Sequence, residues 1–394
     1  MAGQRYNRSE RLATVPEGSF SVADGYAEIQ TRVPDFTAPP PAVAMDPSAM
    51  RAIVVSRAVA IFFMMYVHAW AGAAESPDDA FTGSFGTVVH LLVDVLGRSS
   101  VPLLTIISGY LLVTAGYRRR NWREVVADKA RTLLVPMWLW NGALLLMIWG
   151  AVTLFGGHLP DYVIEEPWYN SIFALTGRPA TLPLAFLRDM FVCALLSPIL
   201  IRLMQLAPWP VLALAAAFAI FHPEQPIILR PQLLLFYLVG IGFALHWQVP
   251  RKVRLDWPTW VAAVVLIIST LRVWLPLPQK AGSHDLFIQL LSNSARFAVA
   301  WLVWMACLAL QRSGAYSRIA RVESVIFLAF CSHFLLFRAL GHVLPDDTQW
   351  LPLIFLIQPP LAIAAAFAMS FALRGTAPRL LSLLNAGKLP RLRT

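Results

Sequence analysis

The stretch RAVAIFFMMYVHAW, residues 57–70, opens on a cation, runs through mostly apolar residues and reaches a histidine. Its apolar content marks a membrane-crossing helix: a hydrocarbon core about 30 Å thick takes roughly 20 helical residues, and residues 52–72 supply that length. Two ionisable groups inside such a span are costly to insert, so each needs a reason. At about 100° per residue, the step from Arg57 to His68 is three turns plus roughly 20°, which places both side chains on one face about 16 Å apart. Taken singly, Arg57 fits a snorkelling interfacial arginine and His68 a hydrogen-bonded helix-packing histidine. Together they define a stripe long enough for an elongated site.

The rest of the chain agrees with a membrane setting. Of 394 residues 58% are hydrophobic and 14% charged, with a mean hydropathy of +0.61, far from the composition of a soluble domain of this size. The net charge of +10 comes from short basic clusters between apolar runs, a placement that suits cytoplasmic loops rather than nucleic-acid binding. Cys193, Cys307 and Cys331 sit inside apolar runs without paired spacing, which argues against a disulfide framework and against a metal site.

Runs of span length are expected at 52–72, 98–117, 132–154, 182–204, 208–222, 231–249, 257–276, 286–311, 323–343 and 351–373, which makes an all-α polytopic membrane protein of about ten helices. Flanking charges orient them. With the N-terminus inside, RRRNWREVVADKAR (118–131), RKVR (251–254), RSGAYSRIAR (312–321) and the final RLRT face the cytoplasm, while ESPDD, DYVIEEP, PEQP and PDDTQ face outward. Both termini are then cytoplasmic. Residues 1–51, polar and proline-bearing with no early apolar core, read as a disordered cytoplasmic tail, 52–373 as the membrane domain and 374–394 as a basic tail.

Five short motifs occur in order along this frame: the first-helix Arg57 and His68; RSSVPLLTIISGYLL (98–112); DKARTLLVPMWLWN (128–141); FLRDMFVCALLSPIL (186–200); and VIFLAFCSHFLLF (325–337) with His333. Their order and spacing over residues 51–340 resemble membrane acyltransferase family 3, whose members O-acylate glycans in bacterial membranes. The chain departs from that pattern in LPLAFL (182–187), before Arg188-Asp189, and in Phe330 where a tyrosine is common near the late histidine.

The resemblance implies an O-acyltransferase of the inner membrane with no bound cofactor. It would move an acetyl or other short acyl group from acyl-CoA to a hydroxyl of an exopolysaccharide, a cellulose-like glucan or a periplasmic glucan, with polysaccharide-synthesis machinery as a potential partner. Such a transfer needs a base, and an imidazole titrates near neutral pH, so His68 is the natural one. Arg57, with Arg120, Arg123, Lys129 and Arg131 of the basic loop, is expected to meet the donor phosphates, although topology alone already explains that loop.

Ser108, Tyr110, Arg188, Asp189 and His333 are candidates for acceptor contact or support. Ser108 lacks the Gly-x-Ser-x-Gly setting of a nucleophile, and Gly109 beside it suggests close packing on the first helix. Arg188 and Asp189, about 100° apart, are expected to reach different neighbours, with Arg272, Arg296 and Arg338 as available intramembrane charges. Two other readings use the same buried charges: a transporter of a glycan or acyl precursor, and a non-catalytic membrane subunit of a synthesis complex.

Overall fold

The computed structural model describes residues 46–72, 77–117, 121–156, 159–221, 227–271, 286–344 and 349–390. The expected N-terminal tail up to residue 45, Arg118–Arg120, PEQP, Arg272 and RLRT lie outside the described residues, as do parts of ESPDD and PDDTQ. The described part is a helical assembly: α1 (Pro47–Tyr66), α2 (Gly83–Gly116), α3 (Trp122–Phe155), α4 (Leu182–Leu195), α5 (Ser197–Leu206), α6 (Pro208–Phe221), α7 (Pro231–Leu245), α8 (Trp257–Leu271), α9 (Leu286–Leu310), α10 (Tyr316–Val343), α11 (Leu351–Thr376) and α12 (Pro378–Leu384). Six are long and apolar enough to cross a membrane, and the bent pair α4–α5 makes a seventh if it is one span. The apolar helices α6, α7 and α8 are shorter and occupy three further expected runs.

Several boundaries differ from the apolar runs, each for a local reason. α1 starts at Pro47 rather than residue 52: the Asp46 carboxylate accepts from Ser48 N at 2.7 Å, and proline suits the first helical position. The same carboxylate takes the Ser48 hydroxyl, and these bonds hold it below the usual carboxylate range. α2 starts 15 residues before the expected Arg98. His90 and Asp94 interrupt the apolar run there, but they pair at 2.8 Å, and Arg98 closes on Asp94 at 3.0 Å, so the charge is compensated within the helix. α3 begins at a reciprocal cap in which Asn121 accepts from Glu124 N and donates to its carboxylate.

The 63° bend between α4 and α5 falls just before Pro198, which has no N–H to continue the ladder. The basic tail expected from residue 374 is folded. α11 runs to Thr376, α12 follows, and Asn385 Nδ2 ties the segment to the Ser324 carbonyl of α10 at 3.2 Å.

Close helix approach is set by two glycine contacts. Gly109 does not face α1. It lies on α7, where a Cβ would strike the Tyr237 carbonyl, and Gly240 of α7 lies in return on the Ile106 carbonyl of α2. The residue that lets α2 close on α1 is Gly97, whose Cβ would meet Val67 and the Phe63 carbonyl. It ends a π-helical stretch, Leu91–Gly97, that packs beside the outgoing end of α1. α10 lies along α1 on the other side, and α11 closes over both.

Candidate active site

α1 and α10 run in the same direction and meet at two levels. At the first, Arg57 Nη1 contacts Glu323 Oε1 at 2.9 Å, both side chains half-buried. At the second, the His68 and His333 rings lie 5.7 Å apart, with Phe334 6.1 Å from His68. The spacings differ by a single residue, eleven from Arg57 to His68 and ten from Glu323 to His333, so the two helices stay roughly in register over about three turns. Between the levels the stripe is filled by Ile61, Met64 and Phe330, all buried.

The His68 level is held from both sides. Just beyond α1, Trp70 N donates to Gln358 Oε1 at 2.7 Å and Gln358 Nε2 donates to Trp70 O at 2.8 Å, an amide clamp from α11 on the turn that carries His68. Tyr66 donates to the Leu356 carbonyl, and Gly341 leaves room for the Trp70 ring. His333 is fully buried; its Nδ1–H donates to the Phe330 carbonyl, which assigns the lone pair to Nε2, and that atom has no hydrogen-bond partner among the described residues. The pair therefore presents an oriented acceptor beside a second imidazole.

Arg188 and Asp189 reach different neighbours, as their 100° offset suggests, but they also meet each other. They bond to one another, Arg188 Nη1 to Asp189 Oδ1 at 2.9 Å, because the long arginine stem curls back across the angle. Arg188 also donates to the carbonyls of Ala174, Leu175 and Ile227, and Asp189 accepts from Leu229 N and Arg230 N. Their visible work is to pin the 174–175 and 227–230 segments to α4. Arg338 stacks over Phe334 at 5.5 Å.

Two residues not singled out in the sequence belong to these levels. Glu323 is one; its signal is a single acid after Arg312, Arg318 and Arg321. Arg230 is the other, its charge acting on His68 together with that of Arg98.

The remaining candidates fall elsewhere. Ser108 Oγ donates to the Leu104 carbonyl of its own helix at 2.8 Å. Tyr110 lines an apolar cleft with Ile53, Phe243, Pro250, Trp301 and Trp304, at the level of Ile53 and about four turns from His68. Arg120 is outside the described residues; Arg123 and Arg131 are exposed and Lys129 is half-buried on α3. Next to Arg131, Thr132 lies against Gly387, which puts this basic stretch beside the 385–390 segment. There Lys388 sits close enough to Arg57 and Glu323 to feel their charges; burial, then Arg57, pushes its ammonium down from the ordinary lysine value, while Glu323 opposes. The Arg57 end is thus cationic and the His68 end carries the imidazoles. Among the described residues no three His, Cys, Asp or Glu side chains cluster as metal ligands would.

Residues 51–374 match the model of the acyltransferase domain family Acyl_transf_3. The chain is 29% identical over 354 residues to the succinoglycan biosynthesis protein ExoH of Rhizobium meliloti (strain 1021), covering 87% of this chain and 94% of that one. No solved structure matches. The matched region takes in both levels of the α1–α10 contact and every helix that walls them, and the chain belongs to this acyltransferase family.

Proposed function

We propose that the protein transfers an acyl group from acyl-CoA to a carbohydrate hydroxyl at the His68 end of the bundle. The supporting observation is the His68–His333 pair: two imidazoles 5.7 Å apart, one fully buried with an unpartnered Nε2, in a chain whose family is acyltransferases. The polysaccharide acceptor rests on the relative, a succinoglycan biosynthesis protein. An exopolysaccharide or another cell-envelope glucan fits that class.

In this reading His68 takes the proton of the sugar hydroxyl while His333 Nε2 accepts a hydrogen bond that orients it. The hydroxyl oxygen attacks the thioester carbonyl, the new ester C–O bond forms, the C–S bond breaks, and the proton passes from His68 to the departing thiolate. Arg98, whose charge acts at His68 and which Asp94 holds at 3.0 Å, steadies the oxyanion. Arg57 binds the donor. Its one contact with Glu323 leaves further N–H groups for phosphate, and Lys388, Arg123, Lys129 and Arg131 extend the positive surface. Ile61, Met64 and Phe330 must part for a pantetheine arm to reach from Arg57 to His68, and the flexible Met64 eases this.

In this reading both termini are cytoplasmic, as the flanking charges favour, and the Arg57 end then faces the CoA side of a bacterial inner membrane. The test uses purified wild-type protein in proteoliposomes with labelled acyl-CoA inside and an oligosaccharide outside. Acyl-oligosaccharide with release of free CoA is expected. Oligosaccharide movement across the bilayer without acylation would overturn the reading in favour of transport.

A further inference from the structure

The connection between α3 and α4 is tied down more firmly than a passive loop requires. α3 starts at the Arg57 end, where Thr132 lies against Gly387, so the segment that follows it stands at the His68 end. Residues 166–181 form a strap there. Glu166 Oε1 accepts from Arg178 N, Asn170 Oδ1 accepts from Thr176 N, and Ala180 N donates to the Ser171 carbonyl. Asn141 of α3 holds both limbs, donating from Nδ2 to the Ile172 carbonyl at 2.9 Å and accepting from Thr181 N at 3.0 Å. With the Arg188 bonds to Ala174 and Leu175, these anchors keep Ala174 at φ 51°, a left-handed conformation that alanine rarely adopts.

The strap presents an aromatic row. Trp168 stands beside Tyr169, its ring centroid 6.5 Å from that of Phe173, and Phe173 meets Trp138 of α3 edge-on at 5.3 Å. The row runs from the surface inward: Trp168 is 70% exposed, Phe173 is half-buried, and Trp138 Nε1 is buried with no hydrogen-bond partner among the described residues. Thr181 Oγ, bonded through its backbone to the same Asn141, is likewise buried and unpartnered among them. Its neighbour Ala180 clusters with Leu144 and Ile148, Phe334 packs on that cluster, and the Phe334 ring is 6.1 Å from His68. The row therefore leads toward the imidazole pair.

A buried indole N–H nearly always finds an acceptor, and it can only donate, whereas a hydroxyl can do either. The occupant that fits brings oxygen acceptors, and to lie on Trp168 and Phe173 it also brings C–H groups for the negative faces of their rings. A sugar ring carries both on one body. An interfacial aromatic belt accounts for the exposed Trp168 and Tyr169 but not for the orphaned polar atoms further in.

We propose that this row is the track for the sugar chain of the acceptor: sugar faces rest on Trp168 and Phe173, sugar hydroxyls bond to Trp138 Nε1 and Thr181 Oγ, and the chain is so aligned that its next hydroxyl reaches His68. This rests on the acyl-transfer reading above and deepens it.

The experiment uses the full chain in detergent and two oligosaccharides, a disaccharide and an octasaccharide, prepared by partial hydrolysis of the host cell's surface polysaccharide. Binding is measured by calorimetry without donor, then acyl transfer is measured on the same samples. Wild type is expected to bind the octasaccharide more tightly than the disaccharide. Trp168→Ala, at an exposed position that the fold does not depend on, should weaken octasaccharide binding about three- to tenfold and leave the disaccharide unchanged, because only a long chain reaches the outer ring. Trp138→Phe and Thr181→Val keep shape and remove the N–H or O–H, and should weaken both ligands by a similar factor. In transfer these losses should appear in the acceptor KM, with donor affinity unchanged and Trp168→Phe restoring most of the octasaccharide KM. Phe155→Ala, an exposed aromatic at the same end of α3 but outside the row, should match wild type throughout. The expected binding losses with no acyl transfer in any sample would overturn the catalytic reading and leave the sugar track standing. Wild-type octasaccharide affinity and acceptor KM in Trp168→Ala, Trp138→Phe and Thr181→Val, with transfer intact, would overturn the track and leave the catalytic reading intact.

Discussion

Glu323 should matter to donor binding without touching the donor. Its contact with Arg57 is a charge-assisted hydrogen bond of 2.9 Å between half-buried side chains. Such a bond is worth about 1.5–3 kcal/mol, and partial solvent exposure puts this one toward the lower figure. Glu323→Gln keeps shape and removes the charge, so stability in detergent should fall by about 1–2 kcal/mol. Arg57, released and beside Lys388, loses the anchor that aims its remaining N–H groups at phosphate. Donor affinity is then expected to drop roughly three- to thirtyfold with kcat nearly unchanged, since 1.4 kcal/mol is a factor of ten. The charge-swapped double variant Arg57→Glu with Glu323→Arg separates the roles: it should recover most of the stability, because the pair is re-formed, and none of the donor affinity. Calorimetry with a non-reactive acyl-CoA analogue, alongside chemical unfolding of the same variants, reads both quantities. Wild-type donor affinity in Glu323→Gln and in the swap would show that this contact serves only to hold α1 to α10.

Ser108→Ala should leave acyl transfer and stability close to wild type, because its hydroxyl serves only the Leu104 carbonyl; loss of turnover would restore it as a nucleophile candidate. Gln358→Leu removes both halves of the clamp on Trp70 and should cost about 2 kcal/mol or more, with kcat falling further than donor affinity, as measured by unfolding and steady-state kinetics. Gly109→Ala forces α2 from α7 at the Tyr237 carbonyl and should destabilise by about 1–3 kcal/mol, while Gly142→Ala on α3, with open space at its Cβ, should be near neutral in the same assay.

The helical frame was legible because apolar length is a local property: each expected run coincides with a helix, and the Arg57–His68 stripe depends only on the helical turn. The limits of α2 were hidden because His90, Asp94 and Arg98 look like an interruption until their mutual pairing is seen. Partners were harder still. Nothing local says that Gly109 meets α7 while Gly97 meets α1, since both choices depend on which helices become neighbours. Arg296 stood out as a charge in an apolar run, but that its helix packs on the π-helical stretch carrying Asp94 is decided by tertiary structure. The adjacent pair Arg188-Asp189 shows the opposite limit: an angle between Cα positions does not constrain a side chain as long as arginine.

The central claim, that His68 carries the chemistry while the opposite end of the stripe holds the donor, is tested most directly by single-turnover acyl transfer in His68→Gln and His68→Ala. Pre-bound acyl-CoA is mixed with acceptor oligosaccharide, and donor affinity is measured on the same samples. The expected result is a transfer rate reduced about a hundredfold or more, the usual scale for loss of a general base, with donor affinity within about twofold of wild type. A transfer rate close to wild type in both variants, or an equal loss confined to donor affinity, would contradict the assignment.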